Sequence, residues 1–235
     1  MLSYDAAMPT NKGHNMPSPP ESLQDGLTNA SPAKDMVLPP NTSHSSPHAY
    51  KHHHIWLVTG PAGCGKTTVA SHLAKTLDLP YVEGDSYHPP ANIEKMANGI
   101  PLTDADRWDW LTVLRDESIS RIDAGADGVI LTCSALKRKY RDVIRVASYY
   151  NPNLLIHFIY LDATEDLLLQ RVGARQGHYM GANMVHSQMD TLERPSADER
   201  DVSKVDVSQS MEKVKQDALN YVVKAMAEDE AEIRQ

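Results

Sequence analysis

The segment GPAGCGKT, residues 60–67, has the residue types and the spacing that bind a chain of phosphates. It matches the pattern G-x-x-x-x-G-K-[ST], and it lies between a short apolar run and a segment with helical periodicity, as this pattern requires. Gly60, Gly63 and Gly65 permit backbone conformations in which successive N–H groups curl around a phosphate, and the following helix adds its positive dipole end. The segment therefore predicts a nucleoside triphosphate site.

Two side chains at the end of this loop have predicted chemical roles. Lys66 can reach the β- and γ-phosphates, so it is a candidate catalytic residue, and the Thr67 hydroxyl is the predicted ligand of Mg²⁺. Cys64 occupies a variable position of the pattern, where a small side chain suffices. A thiol near a helix N-terminus can have a lowered pKa, which leaves redox sensitivity as the less favoured alternative.

The segment GDSYHPPANIEKMANGIPLTDADRWDW, residues 84–110, carries groups suited to a small hydroxylated acceptor. Asp85 follows a predicted strand, where its carboxylate can orient or deprotonate an acceptor hydroxyl, or hold Mg²⁺ through water. His88 precedes two prolines that stiffen the turn, and it is either an acceptor ligand or a structural histidine. Arg107 can bind a carboxylate through paired hydrogen bonds, and Lys137, in a basic run after the third strand, is the remaining candidate.

Residues 170–183, QRVGARQGHYMGAN, have the composition of a mobile lid. Arg171 and Arg175 are four residues apart on a predicted helix, so they share one face, and the glycines that follow loosen the segment. Closure of such a lid brings arginines to the transferring phosphoryl group, which makes Arg171 a candidate catalytic residue. The predicted ATP-binding set is Gly60, Ala62, Gly63, Cys64, Gly65, Lys66, Thr67, Thr68, Arg171 and Arg175.

Short apolar runs and amphipathic segments alternate from residue 54 onward, which predicts a mainly parallel sheet with helices on both faces. Ligands bind such sheets at the carboxyl ends of the strands, where the segments above are found. Asp104 or Asp106 is the predicted N-cap of the helix that follows the acceptor segment. The predicted strands are 55–60, 81–85, 128–134, 153–162 and the edge strand 204–208, and the predicted helices are 65–78, 91–99, 106–125, 137–150, 164–175 and 211–228.

Residues 1–50 differ in composition from the remainder, since eight of the fifteen prolines lie there among polar residues. Such a segment buries too little apolar surface to offset its conformational entropy, so we expect a disordered extension before a kinase domain of residues 51–235. A net charge of −8 argues against nucleic acid as a partner. The longest apolar run is far below the roughly 18–20 residues of a membrane span. With two cysteines and no secretory signal, we expect a cytoplasmic protein.

The segments GPAGCGKTTVA, EGDSYHPPANIEKMANGIPLTDADRWDWL, CSALKRKYRD and ARQGHYM, in this order and spacing, resemble the gluconokinase family. The resemblance implies a nucleoside-monophosphate-kinase-like fold, a homodimer, and transfer of phosphate from ATP to D-gluconate to give 6-phospho-D-gluconate for the pentose phosphate pathway. It assigns Asp85, His88, Arg107 and Lys137 to gluconate and both lid arginines to ATP. Where the family commonly has Gln-Phe-Glu-Thr-Leu, residues 188–192 read QMDTL, which weakens any role for Asp190.

Two alternatives to this reading remain. One is a kinase of another small hydroxy acid or of a nucleoside monophosphate, and the other is a nucleotide-dependent interaction protein without catalysis. A GTPase is disfavoured because the sequence has no Asn-Lys-x-Asp segment, and a mechanical ATPase because no predicted strand ends in an Asp-Glu pair.

Overall fold

The computed structural model describes residues 52–174 and 182–234. The predicted disordered extension, residues 1–50, lies outside this part of the chain. Within the described residues no helix is long and apolar enough to cross a membrane.

A five-stranded sheet forms the centre of the described chain, in the order β2-β3-β1-β4-β5. All four strand pairs are parallel, and β5 lies at an edge, as predicted. The second strand ends two residues earlier than predicted, because Gly84–Tyr87 form a short 3-10 helix. The strands are β1 His53–Thr59, β2 Tyr81–Glu83, β3 Gly128–Thr132, β4 Leu154–Asp162 and β5 Val202–Asp206.

Seven α-helices are described, of which the sixth was not predicted. They are α1 Lys66–Leu77, α2 Pro90–Ala97, α3 Asp104–Asp123, α4 Arg138–Tyr150, α5 Glu165–Gly173, α6 Ala182–Thr191 and α7 Met211–Ile233. The predicted N-cap of α3 was wrong, since Thr103 caps this helix and not Asp104 or Asp106. Asp106 is instead the partner of Thr103 in a capping box, in which each side chain accepts a hydrogen bond from the other residue's backbone N–H.

Helices cover both faces of the sheet. Alternate side chains of each strand point to opposite faces, and apolar side chains on each face pack against helices. Ile55 and Leu57 of β1 pack in a cluster with buried residues of α3 and α4. Trp56 and Val58 pack in a second cluster with residues of α1, α5 and α7. The two buried clusters hold the sheet rigidly, so the loops at its carboxyl edge start from fixed positions.

A buried ion pair connects α4 to the segment before β5. Arg141 donates to both carboxylate oxygens of Glu199 at 2.7 Å, and the two side chains are 2% and 1% exposed. Arg141 also donates to the carbonyls of Ala135 and Glu193 at 3.2 Å, so it joins the loop after β3 to the segment after α6. Burial alone would raise the pKa of Glu199, but hydrogen bonds from Arg141 and Arg145 lower it to about 2.

Replacing Arg141 with methionine is expected to destabilise the protein strongly, because it leaves the buried carboxylate of Glu199 without its main partner. Breaking one side of a buried pair typically costs about 3–5 kcal/mol. A urea titration should show a lower midpoint with an unchanged slope. In the matched variant Arg138→Met, an exposed pair with Asp198 is lost, and the midpoint should stay near wild type. Similar midpoints for the two variants would contradict this account.

Candidate active site

The phosphate-binding segment forms a loop between the end of β1 and the start of α1, as predicted. Gly60, Gly63 and Gly65 have φ angles of 141°, 83° and 105°, in the region that favours glycine. A side chain at Gly60 would also come within 2.9 Å of the Leu161 carbonyl oxygen. The loop borders a pocket of about 480 Å³ at the carboxyl edge of the sheet. Predicted ATP-binding residues that line this pocket are Ala62, Gly63, Gly65, Lys66, Thr67 and Thr68.

The ammonium group of Lys66 lies over the loop itself. Its Nζ donates to the carbonyl oxygens of Gly60 at 2.9 Å and Pro61 at 3.0 Å. These contacts hold the cation at the mouth of the cradle, where a phosphate oxygen would compete with two neutral carbonyls for it. Since a bond to an ionised acceptor is roughly twice as strong as one to a neutral acceptor, Lys66 is suited to transfer its hydrogen bonds to a phosphate.

A hydrogen-bonded network that the sequence reasoning missed lies next to Thr67. The phenol of Tyr81 donates to one carboxylate oxygen of Glu83 and interacts with the Thr67 side chain. Thr132 donates to the other Glu83 oxygen at 2.5 Å and accepts a hydrogen bond from the backbone N–H of Gly84 at 3.1 Å. Burial and the nearby carboxylate raise the pKa of Tyr81, so the phenol remains a donor. The only sequence signal was an acidic residue at a strand end.

Asp85 lies in the 3-10 helix after β2, and its side chain is 69% exposed and lines the pocket. The backbone beside it is fixed on both sides, because the indole N–H of Trp110 donates to the Gly84 carbonyl at 2.8 Å while Thr132 binds the Gly84 N–H. A side chain at Gly84 would come within 2.0 Å of the Thr132 carbonyl oxygen, so glycine is required here. The backbone thus holds the Asp85 carboxylate in the pocket that the cradle also lines.

His88 also lines the pocket, and its ring stacks on Trp110 at a centroid distance of 3.9 Å. Only 4% of its side chain is exposed, and its Nε2 is 3.9 Å from an oxygen of Asp85. Within the described chain its Nδ1 has no hydrogen-bond partner. Burial lowers the pKa of His88 more than the Asp85 charge raises it, so the neutral ring predominates at neutral pH. A buried unpaired nitrogen in the pocket favours the ligand role over the structural one.

Arg107 is the third acceptor candidate in the pocket. Its guanidinium lies 5.5 Å from the centre of the Tyr140 ring and donates to the Leu102 carbonyl at 3.4 Å. Among the described residues its buried Nε has no hydrogen-bond partner. Arginine has five N–H donors, so most of the donors of Arg107 remain for a carboxylate in the pocket.

Lys137, in contrast, is not among the residues that line the pocket. Its Nζ donates to Asp104 at 2.9 Å, and Lys139 and the phenol of Tyr140 bind the same carboxylate. The hydrogen bonds from Lys139, Tyr140 and Lys137 lower the pKa of Asp104 well below its usual range. The charge of Lys137 is therefore matched by a neighbouring carboxylate, and its contact with an acceptor stays a prediction.

The predicted lid is described only in part. Arg171, in α5, donates to the Val207 carbonyl at 2.6 Å and to the Cys64 carbonyl at 3.5 Å, so it supports the cradle from behind and does not line the pocket. Arg175 lies outside the described residues, as does most of the glycine-rich segment. Cys64 is fully buried and burial raises the pKa of its thiol, which argues against a reactive cysteine.

The two tryptophans of the acceptor segment have separate environments. Trp110 is 2% exposed and packs in the core, whereas Trp108 is 39% exposed. Trp110 also stacks on the His88 ring and donates to the Gly84 carbonyl, two contacts that were not predicted from the sequence.

Comparison of the sequence and the fold with known proteins identifies one family profile and several similar gluconokinases. The sequence profile of a family described as an AAA domain matches residues 55–195. The chain is 43% identical over 195 residues to a probable gluconokinase of Schizosaccharomyces pombe, covering 83% of this chain and 98% of that protein. It is 42% identical over 172 residues to the thermoresistant gluconokinase of Escherichia coli K12, covering 73% and 95%. A crystal structure of a gluconokinase from Sinorhizobium meliloti 1021 superposes with a TM-score of 0.66 at 35% identity, covering 76% of this chain and 96% of that one.

Proposed function

The chain belongs to the gluconokinase family, and from this premise we propose that its pocket binds ATP and D-gluconate together and transfers the γ-phosphoryl group to the sugar acid. The main support for this proposal is that the cradle residues Lys66 and Thr67 line the same pocket as Asp85, His88 and Arg107. A phosphoryl transfer requires donor and acceptor in one site, and the protein supplies mainly position and electrostatic stabilisation. The product is 6-phospho-D-gluconate, which we propose enters the pentose phosphate pathway.

Each group in the pocket has a place in this reaction. The cradle N–H groups and Lys66 bind the ATP phosphates, and Asp85 orients or deprotonates the hydroxyl that attacks. Arg107 binds the gluconate carboxylate through its unpaired donors, and neutral His88 offers one donor and one acceptor to the acceptor hydroxyls. Arg171 and Arg175 belong to a lid that we propose closes over ATP.

The Thr67 hydroxyl fits a Mg²⁺ ion bound with ATP, because it is a hard oxygen ligand that lines the pocket beside Lys66. We propose that Thr67 holds this ion, which would neutralise charge on the phosphate oxygens. The phenol of Tyr81, which donates to Glu83, also interacts with the Thr67 side chain.

An acceptor panel tests the substrate assignment. Purified protein with ATP and Mg²⁺ is assayed with D-gluconate, D-glucose, shikimate and AMP, and kcat/KM is compared. We expect D-gluconate to lead and D-glucose, which lacks the carboxylate, to fall at least about 100-fold behind, because Arg107 would be left unpaired. A higher kcat/KM for shikimate or AMP would support the alternative kinase class, and ATP binding without turnover on any acceptor would support a non-catalytic protein.

Deleting residues 1–50 is expected to leave kcat/KM for D-gluconate within about twofold of the full chain, because every described pocket residue lies beyond the deleted segment. Steady-state kinetics of the full and shortened proteins at equal concentration test this, with a thermal melt to confirm that the shortened protein is folded. A large loss of activity in folded shortened protein would give the extension a direct role.

A homodimer in the cytoplasm completes the proposal. The family resemblance supports the dimer. Light scattering coupled to size exclusion should give twice the 26.0 kDa of one chain, and a mass of one chain at micromolar concentration would contradict it. Fractionation of cells that express the full chain tests the location.

A further inference from the structure

Gln188 of α6 binds the cradle from across the pocket. The backbone N–H of Ala62 donates to its Oε1 at 2.7 Å, between residues 126 positions apart in the chain. Ala62 and Gln188 both line the pocket that holds Lys66 and Asp85. Because a backbone N–H can only donate, the amide of Gln188 has one orientation, with the oxygen on the loop and the NH₂ group elsewhere. Among the described residues no acceptor binds that NH₂ group.

The helix that carries Gln188 is firmly held. Val185 is 1% exposed and packs in the core cluster on the α1 face of the sheet, with Met189 against it. Beyond the helix, the N–H of Glu193 donates to the Leu136 carbonyl at 2.9 Å, and Arg194 donates to the Ala163 carbonyl at 3.2 Å. Side chains three and four residues apart share one face of a helix, so Val185 and Met189 fix the direction in which Gln188 points.

The place of Ala62 in the loop indicates which phosphate lies nearest. Gly65 to Thr68 are at the start of α1, the end of the loop whose N–H groups hold the inner phosphates. Ala62 is at the opposite end of the loop, near β1, and lines the same pocket as Asp85, so we place it nearer the outer phosphate. The NH₂ group of Gln188 has two N–H groups that can donate to a phosphate oxygen in this pocket, and a neutral amide brings no charge repulsion with it.

From this geometry we infer that Gln188 is a catalytic residue that contacts the γ-phosphoryl group. Its carbonyl stays on Ala62 and orients the amide, and its NH₂ group donates to an oxygen of the phosphoryl group during transfer. The inference rests on the proposed function only in taking ATP as the donor. No sequence pattern assigned a role to Gln188, because its contact depends on how α6 packs against the loop.

The test compares binding of ADP with binding of a non-hydrolysable ATP analogue, by calorimetry, in wild type, Gln188→Glu and Gln188→Met. The glutamate variant keeps an acceptor for the Ala62 N–H but replaces the donors with a negative charge. We expect its affinity for the analogue to fall at least about tenfold relative to ADP, and kcat to fall about 10- to 100-fold. The methionine variant lacks the two N–H donors, so its affinity for the analogue should fall while its affinity for ADP stays unchanged.

Asp190→Asn is the matched control. Asp190 is exposed on the same helix, and this substitution also exchanges a carboxylate and an amide. It should leave both affinities and kcat unchanged. If Gln188→Glu loses ADP and analogue affinity equally, Gln188 merely supports the loop, and if it loses neither, Gln188 has no contact with the phosphoryl group; either result overturns the inference. Should Gln188→Met fail to fold, the glutamate variant decides. Wild-type protein that binds the analogue through Gln188 but ignores gluconate would refute the proposed acceptor alone.

Discussion

Lys66→Ala is expected to lower kcat by at least about 10³-fold, since removing one preorganised donor to developing charge already costs 10²–10³-fold and Lys66 also carries a full charge. In the structure its ammonium group is held at the mouth of the cradle by the carbonyls of Gly60 and Pro61. No other cation lines the pocket on the cradle side among the described residues, so the lost charge has no local replacement.

Lys75→Ala is the matched control, because Lys75 lies on the same helix but is exposed at its far end. Steady-state kinetics with saturating ATP and D-gluconate should show wild-type kcat for this variant and none above background for Lys66→Ala. Thermal melts of both variants should agree with wild type, so that the loss can be ascribed to the site. A Lys66→Ala enzyme within tenfold of wild type would remove this residue from phosphoryl transfer.

The second large effect is expected at Asp85. Among the described residues that line the pocket, Asp85 is the only acidic one, and the hydrogen bonds of Gly84 to Thr132 and Trp110 fix the backbone beside it. Replacing Asp85 by asparagine keeps the size of the side chain and removes its ability to accept a proton. We expect kcat to fall about 10²–10⁴-fold, with the dissociation constant for ATP within about threefold of wild type.

Asp109→Asn provides the control, because Asp109 is exposed on the first turns of α3 and belongs to neither side of the pocket. Calorimetry gives the ATP affinity, and kcat as a function of pH separates the two roles proposed for Asp85. Loss of the acidic limb of the profile in Asp85→Asn would identify it as the base, whereas a uniform reduction would identify it as an orienting group. Unchanged kcat would exclude both.

The elements that sequence reasoning located are those set by local patterns. Val69 and Leu73, four residues apart, mark the buried face of α1, and the glycines of the cradle fix its backbone by their own conformational freedom. The alternation of strands and helices was enough to infer a parallel sheet, and hence the sheet edge whose pocket both Lys66 and Asp85 line.

The features that it missed depend on contacts between distant parts of the chain. The hydrogen bond from Lys137 to Asp104 was not foreseen, because the two residues are 33 positions apart and come close only when α3 packs against α4. Gln188 contacts Ala62 across 126 residues. At α3, Asp104 and Asp106 were the predicted caps, and the backbone geometry instead selects Thr103, one position before Asp104. The local sequence does not distinguish among the possible partners of these side chains, and the packing of the elements selects one.

The joint site for ATP and gluconate is tested most directly by the reaction of the purified wild-type protein. ATP, Mg²⁺ and D-gluconate are supplied together, ADP is followed by a coupled assay, and the phosphorylated product is identified by ³¹P NMR. We predict one 6-phospho-D-gluconate for each ADP and no ADP above background when D-gluconate is omitted. ADP release that is independent of D-gluconate, or no release at all from folded protein that binds ATP, would contradict the account.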